Sequence, residues 1–290
     1  MDAIVLTKRQ FEKLKQHLVP EHISNAEASL FIIPSKNQFN DKLIKVYRIN
    51  SGDNFSKKLY VANTLIDAKD KIDSKNIVLP EKLVIVDDKV VGTSQEYINN
   101  NVNMIDIINN TKIPMDRKIE LLKQILGIIN HVRYKSSQVN GMNIGDIHLG
   151  NFIYDLSEKR VKNIDTDSYS IGEVSQPVSP MNLNYENFDG LENKYNFNYV
   201  GLTIPNDDSD MMYYQFIVLN TIANYEINKL SLNEFYDYLR FLKDNGYSNE
   251  VIDCFASIYN NKSNYINNDI LEQLKRANPS DDYRSFKERK

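Results

Sequence analysis

The sequence predicts an α+β protein in which a small region of antiparallel strands precedes a larger, mainly helical region. Two observations predict this arrangement. The first hundred residues contain two pairs of β-branched and aromatic runs, and turn-forming residues separate the runs of each pair. After residue 103, apolar residues recur with the spacing of α-helices. We therefore expect strands and helices to be segregated along the chain.

Size and composition narrow the class of protein. The chain has 290 residues, of which 41% are hydrophobic and 26% charged, as in a globular protein with an ample core. Its formal net charge of −4 provides no overall positive field for nucleic acid. It has no apolar run long enough to cross a membrane and no signal-peptide pattern. We expect a cytoplasmic protein that binds neither nucleic acid nor membrane. The single Cys254 excludes an internal disulfide and is expected in the core.

The N-terminal region, residues 1–98, alternates between helical and strand patterns. A helix is predicted over 7–18, and a hairpin follows with strands at 29–33 and 42–49. Helical periodicity returns over 54–72. The run 83–98 then predicts a second hairpin that turns at Asp87–Asp88.

A polar linker at 99–103 leads into a helical region over 104–277. Residues 116–134 are apolar on two adjacent faces, which predicts a buried central helix. Further helices are predicted at 210–225, 232–246 and 249–261, and a short strand pair at 151–155 and 161–165. Residues 173–207 lack periodicity and are expected to be irregular, and the polar tail 278–290 is expected to fray.

The densest chemistry lies between Gly145 and Gly172. Five polar side chains fall within 22 positions at the ends of strand-like runs: Asp146, His148, Asn151, Asp165 and Asp167. Side chains on loops between rigid elements are well placed for function. The Asp-x-His pair of GDIH would suit a two-metal phosphatase, but such a site needs further histidines downstream, and none follows His148. This argues against a metallophosphatase.

Phosphoryl transfer explains the same residues better. Asp146 and Asn151 have the D-x-x-x-x-N spacing of a kinase catalytic loop, and Asp165 follows an apolar strand nineteen residues after Asp146. Magnesium prefers carboxylate and amide oxygens, which Asp165 and Asn151 can supply. Asp146 is then left near the acceptor hydroxyl.

Other parts of such a site occur in the expected order. Lys45 lies in the strand pattern KLIKVYR, where a charged residue needs a partner or a ligand unless it faces solvent at an edge. Glu96 to Ile98 come at the end of the second hairpin, where their backbone N–H and C=O groups could bind adenine. The motif DDSDMMYYQF opens a buried helix, and its acid, Asp210 or else Asp208, could brace the loop or cap the helix.

Together, over roughly residues 20–260, these motifs resemble the protein-kinase-like superfamily. The loop GDIHLGN is closer to the H-G-D-L-H-x-x-N loops of aminoglycoside, choline and atypical kinases than to that of typical protein kinases. The segment IDTDS, in place of DFG, is similar to bacterial and phage kinase-like proteins. The resemblance implies a bilobal fold, with an antiparallel-sheet N-lobe over 1–98, a hinge at 99–103 and a helical C-lobe over 104–277.

The resemblance also implies roles and ligands. The activity would be an ATP- and Mg²⁺-dependent phosphotransferase, with a protein Ser/Thr substrate or partner favoured over a small-molecule acceptor. The implied roles are catalytic base for Asp146, magnesium ligands for Asn151 and Asp165, phosphate binding for Lys45, adenine binding by the backbone at Glu96 to Ile98, and loop bracing for Asp210. Asp167 would add a metal ligand or stabilise a turn, and His148 would lie near the phosphate or bond a backbone carbonyl.

Two departures keep a second interpretation open, that of a pseudokinase that acts as a binding or signalling scaffold. The segment ISNAEASLF at 23–31 contains no glycine where a phosphate-covering loop would be expected. The helix predicted over 54–72 contains no glutamate to pair with Lys45, which leaves Asp67 or Asp70 as partners.

Overall fold

A computed structural model describes residues 3–17, 28–33, 42–48, 52–72, 74–175, 178–198 and 201–289 of the chain. The strands are β1 (Ala3–Leu6), β2 (Ala28–Ile33), β3 (Lys42–Tyr47), β4 (Pro80–Val86), β5 (Lys89–Glu96), β6 (Asn101–Asn103), β7 (Phe152–Asp155) and β8 (Arg160–Asn163). The helices are α1 (Lys8–Leu14), α2 (Asp53–Asp67), α3 (Lys69–Ile72), α4 (Met104–Asn109), α5 (Met115–Ser136), α6 (Glu192–Tyr195), α7 (Asp207–Ala223), α8 (Leu232–Asp244), α9 (Asn249–Ala256), α10 (Asn268–Leu274) and α11 (Tyr283–Arg289).

Five strands form one sheet in the order β1-β4-β5-β3-β2. The hairpins β2–β3 and β4–β5 are antiparallel, as the sequence predicts, and β3 also pairs antiparallel with β5. The sheet is mixed rather than antiparallel, because β1 pairs in parallel with β4. A run of only four apolar residues, AIVL, has too little periodicity for this strand to be predicted.

Helix α2 joins this sheet to the rest of the molecule. It packs against β4 and against the 3₁₀ turn Thr166–Ser168. Its buried residues Val61 and Leu65 belong to the main hydrophobic core. The helix predicted over 54–72 is therefore present, but it is divided at Ala68 into α2 and α3.

The rest of the chain is mainly helical and is organised around α5 and α7. Ile125 and Ile129 of α5 are fully buried, and the hydroxyl of Tyr214 in α7 donates to the carbonyl oxygen of Leu122 in α5 at 2.7 Å. The three helices predicted between 210 and 261 correspond to α7, α8 and α9. Cys254 of α9 is buried. None of the described helices is both long and apolar enough to cross a membrane.

The segment 99–103, predicted as a linker or hinge, contains β6, which pairs with β7 in the small antiparallel sheet β6-β7-β8. The expectation that the C-terminal tail frays was wrong. The tail after residue 278 contains α11, which packs against α8 and buries Tyr283 and Phe286. Two aromatic side chains provide enough apolar area to hold this otherwise polar segment.

Candidate functional site

Lys45 lies at the centre of a buried charge cluster. It belongs to β3, an interior strand, where it is opposite Leu30 on one side and Thr93 on the other. Its ammonium donates to Oδ1 of Asp165 at 2.5 Å and to Oδ1 of Asp167 at 2.6 Å. Only 6% of the residue is exposed, so it is not a solvent-facing edge lysine. Lys42, three residues earlier, instead pairs with Glu81 at 2.6 Å at the surface.

The two aspartates have opposite electrostatic behaviour. Burial and the neighbouring charge of Asp167 raise the pKa of Asp165 to about 7 despite the attraction of Lys45. Burial also opposes ionisation of Asp167, but the charges of Lys45 and Lys58 outweigh it and lower the pKa of Asp167. Burial likewise opposes the charge of Lys45, and the two carboxylates raise its pKa. The cluster therefore holds Lys45 and Asp167 charged at neutral pH.

A second lysine approaches Asp167 from helix α2. The ammonium of Lys58 is 3.8 Å from Oδ2 of Asp167 and 5.8 Å from the centre of the Tyr47 ring. Oδ2 of Asp167 is buried and accepts no hydrogen bond from any residue that the structure describes. The proposed helix partners of Lys45, Asp67 and Asp70, do not supply its carboxylates; these come from the 3₁₀ turn at 166–168 and the residue before it.

Asp146 and Asn151 lie side by side on the loop that precedes β7. The amide nitrogen of Asn151 donates to the carbonyl oxygen of Asp146 at 2.9 Å and to its Oδ2 at 3.0 Å. His148 places Nε2 3.5 Å from the same Oδ2, while its Nδ1 accepts from the backbone N–H of Gly150 at 3.1 Å. Thus His148 contacts a backbone N–H rather than a backbone carbonyl. Burial would raise the pKa of Asp146, but these bonds and the charge of Lys58 lower it, which favours the carboxylate.

The loops that carry Asn151 and Asp165 are tied together through their backbones. The carbonyl oxygen of Asn151 accepts from the backbone N–H of Ile164 and from the amide of Asn163, both at 3.0 Å. The hydroxyl of Tyr169 donates to Oδ1 of Asn163 at 2.9 Å. These bonds hold Ile164, the residue before Asp165, against Asn151, the residue that bonds Asp146.

Asp210 braces this loop from the first turn of α7. Its two carboxylate oxygens accept from the backbone N–H groups of Ile144 and Gly145, both at 2.9 Å. Gly145 has φ of +80°, and a Cβ there would lie 2.6 Å from Cγ of Pro205, so the loop requires glycine. Asn206, not Asp210, caps the helix, and Asp208 bonds Tyr265 instead.

We expect Asp210 to make stability depend on pH. Burial raises the pKa of Asp210 to about 7, so the folded protein binds this proton more tightly than the unfolded chain. The resulting contribution to the free energy of unfolding is up to about 4 kcal/mol. It is fully present below about pH 4 and is lost as the pH rises through about 7. In urea unfolding between pH 4.5 and 7.5, Asp210→Asn should remove this component and the exposed control Asp253→Asn should retain it. Parallel curves for the wild type and Asp210→Asn would contradict the assignment.

The residues predicted to meet adenine lie where β5 leaves the sheet. The side chain of Glu96 points to Lys162, at 3.5 Å, and Lys162 is itself buried between Asp155 and Glu158, each at 3.0 Å. Ile98 packs in a small apolar cluster with Val78, Ile153 and Ile164. Its carbonyl oxygen accepts from the amide of Asn101 at 2.5 Å. This corner therefore joins the five-stranded sheet to the loops of the charge cluster.

A cavity of about 560 Å³ opens beside Asp146. Asp146 and His148 line one part of it, while α4 and α7 contribute apolar side chains such as Ile108 and Ile217. Asn109 and Asn224 place amides in its wall. Its volume lies within the range of small-molecule sites.

The oxygen groups of the candidate site are of the kind that bind magnesium. Asp165, Asp167 and Asn151 carry hard oxygens, and Oδ2 of Asp167 still lacks a hydrogen bond. Across the described ranges, no three His, Cys, Asp or Glu side chains form a potential metal cage. A magnesium ion held by two of these residues would take its other ligands from phosphate and water.

Sequence analysis singled out most of these residues but missed Lys58 and Lys162. Lys58 is one of several lysines on a helical pattern, and only its tertiary position reveals where it points. Lys162, like Lys45, is a charged residue within an apolar strand pattern. The same argument could therefore have predicted that it is buried and paired. No protein-family model and no curated protein matches the sequence.

Proposed function

We propose that this protein is an ATP- and Mg²⁺-dependent phosphotransferase with a bilobal, protein-kinase-like fold. The observation that carries the proposal is the meeting of Lys45, from an interior strand of the five-stranded sheet, with Asp165 and Asp167, which share a backbone-linked support with Asp146 and Asn151. These residues come from distant parts of the chain, and each has the chemistry that phosphoryl transfer requires.

In this proposal each side chain has a defined task. Asp146, whose pKa is lowered, accepts the proton of the acceptor hydroxyl as that oxygen bonds to the γ-phosphorus and the bond from phosphorus to the leaving ADP oxygen breaks. Lys45 moves from the carboxylates to the α/β-phosphates. Asp165 and Asn151 would hold Mg²⁺, which neutralises phosphate charge when bound. Glu96 to Ile98 offer backbone groups to adenine.

The acceptor has two candidates. A protein Ser/Thr remains the expectation from the motif resemblance. The cavity beside Asp146 favours a second candidate, a small molecule with a hydroxyl group, because an apolar wall with a few amides can hold such a compound against the base.

The alternative function, a pseudokinase scaffold, has its own supporting observation. Lys45 already bonds Oδ1 of Asp165 and of Asp167, and a phosphate that binds Lys45 must displace it from at least one of them. A protein in which phosphate never replaces these carboxylates at Lys45 would keep the fold but would not transfer phosphate.

Thermal unfolding with nucleotide separates the two functions. We expect millimolar ATP with Mg²⁺ to raise the melting temperature by several degrees, since a ligand at 100 times its Kd stabilises the native state by about 2.7 kcal/mol. Chelation of Mg²⁺ should remove most of the increase, and Asp165→Asn should abolish its magnesium dependence. An unchanged melting temperature at every nucleotide and metal concentration would count against the enzyme and favour the scaffold.

A further inference from the structure

We infer that His148 is a positioning residue: it orients the carboxylate of Asp146 so that Oδ1 takes the proton of the acceptor hydroxyl. The inference rests on the proposed function and deepens it, because the reaction described above gives His148 no task. Its contacts point to this role, since one ring nitrogen meets the backbone and the other faces Asp146.

The backbone of Gly150 selects the tautomer of the His148 ring. The N–H of Gly150 donates to Nδ1 of His148 at 3.1 Å, so Nδ1 carries the lone pair. In a neutral imidazole the proton then lies on the other nitrogen, Nε2. The ring therefore presents an N–H group, and not a lone pair, on the side that faces Asp146.

Nε2 of His148 lies near one oxygen of the Asp146 carboxylate, at 3.5 Å from Oδ2. This distance is longer than that of a good hydrogen bond, but catalytic hydrogen bonds are often long before the substrate binds and shorten in the complex. The attraction does not require a charged ring, because a neutral imidazole with its proton on Nε2 already donates to a carboxylate.

The two oxygens of Asp146 have different surroundings. The amide of Asn151 donates to Oδ2 at 3.0 Å, and His148 approaches the same oxygen. Within the described part of the chain, no residue donates a hydrogen bond to Oδ1. Because hydrogen bonds to a carboxylate oxygen stabilise its charge, the oxygen without donors is the better proton acceptor. The geometry therefore assigns the reaction to Oδ1.

The shape of the loop holds the His148 ring in place. A Cβ on Gly150 would lie 2.9 Å from both Nδ1 and Cε1 of His148, so a glycine at this position lets the ring lie against the backbone. His148 and Asp146 also line the same cavity of about 560 Å³. An acceptor in that cavity meets a carboxylate whose orientation is already set, which lowers the cost of reaching the reactive geometry.

The tautomer of His148 can be measured by nitrogen-15 NMR of the histidine rings at about pH 9, where histidine is neutral. We expect the proton of His148 on Nε2, with its signals assigned by their absence in His148→Gln. A proton on Nδ1 would overturn the inference, because Nε2 would then have nothing to donate to Asp146. This measurement requires neither nucleotide nor acceptor.

The role in the reaction is tested by ATP turnover with Mg²⁺, with water and with dephosphorylated casein as acceptors. We expect His148→Ala to lower kcat by about 10- to 100-fold and to change the KM for ATP by less than about 2-fold, because it misplaces the base and leaves the nucleotide contacts intact. His148→Gln, whose side-chain amide can still donate to Asp146, should recover most of kcat. His17→Ala, at an exposed histidine, is the matched control and should turn over ATP like the wild type.

Gly150→Ala tests the same ring without removing it. The added Cβ has to push the ring of His148 away, so kcat should fall. In the His148→Ala background the same change should have little further effect, since the ring that it meets is absent. If His148→Ala does not fold, Gly150→Ala still decides, and a kcat equal to that of the wild type overturns the inference.

The outcomes separate this inference from the function on which it rests. A wild type that turns over no ATP contradicts the proposed function, and the tautomer remains a separate test of the ring's geometry. An active wild type and a His148→Ala variant with the same kcat overturn the role of His148 alone. Equal losses of kcat in His148→Ala and His148→Gln, or a matching rise in the KM for ATP, would assign His148 a different role and also overturn it.

Discussion

Replacement of Asp146 by asparagine is expected to reduce phosphate transfer by about 10²- to 10⁴-fold, the usual contribution of a positioned general base. Asparagine preserves the shape of the side chain and can still bond Asn151, but it cannot accept the acceptor's proton. ATP affinity should change little, because in the proposed site the α- and β-phosphates bind to Lys45 rather than to Asp146. The loss should therefore be found in kcat.

The assay uses γ-labelled ATP with two acceptor panels, generic dephosphorylated proteins and small hydroxyl compounds that fit the cavity of about 560 Å³. Asp253→Asn, which changes an exposed aspartate of α9, is the matched control and should retain full activity. Transfer to the same acceptor at equal rates by wild type and Asp146→Asn would show that the base lies elsewhere. Labelled phosphate on members of one panel identifies the acceptor as a protein or as a small molecule.

Replacement of Lys45 by methionine is expected to lower the free energy of unfolding by about 3–5 kcal/mol at pH 8, because it leaves Asp165 and Asp167 buried without their main cation. The loss should diminish toward pH 5. Without Lys45, the pKa values of both carboxylates in the folded protein rise, and each group then stabilises the folded state at low pH and destabilises it as the pH increases. Urea unfolding at several pH values measures both effects.

Strand β3 provides a matched control for this change. Lys42→Met removes a lysine from the same strand, but its ion pair with Glu81 is at the surface, so the expected loss is below about 1 kcal/mol. Lys45→Met combined with Asp167→Asn should recover part of the stability, since one of the two buried carboxylates that lost Lys45 is then neutral. Similar losses for Lys42→Met and Lys45→Met at pH 8 would refute the burial argument.

The sequence identified the residues of the charge cluster better than it identified their contacts. Lys45, Asp165 and Asp167 stand out because charged residues interrupt or follow apolar strands, and the hairpin around β3 follows from alternation and turn residues. The ion pairs between them depend on how the sheet packs on the helical part, which no local pattern encodes. The choice of Asp67 or Asp70 as a partner of Lys45 failed for that reason.

Short elements were the least predictable part of the fold. Strand β1 has only four residues, and its parallel pairing with β4 is a long-range contact. Helix α11 lies in a polar tail and is held by Tyr283 and Phe286, which pack against aromatic residues at 225–241. In both cases packing overrides weak local preference.

Hydrogen bonds connect the loop of Asp146 to the residues before Asp165, and further bonds connect those residues to the sheet. Because Ile164 and Asn163 both donate to the carbonyl oxygen of Asn151, Asp146, Asn151 and Asp165 belong to one connected support. The amide of Gln95 in β5 donates to the carbonyl oxygen of Ile164 at 3.4 Å, so this support is also attached to the sheet that carries Lys45. A change in β5 near Gln95 should therefore alter the position of Lys45 and that of Asp165 together.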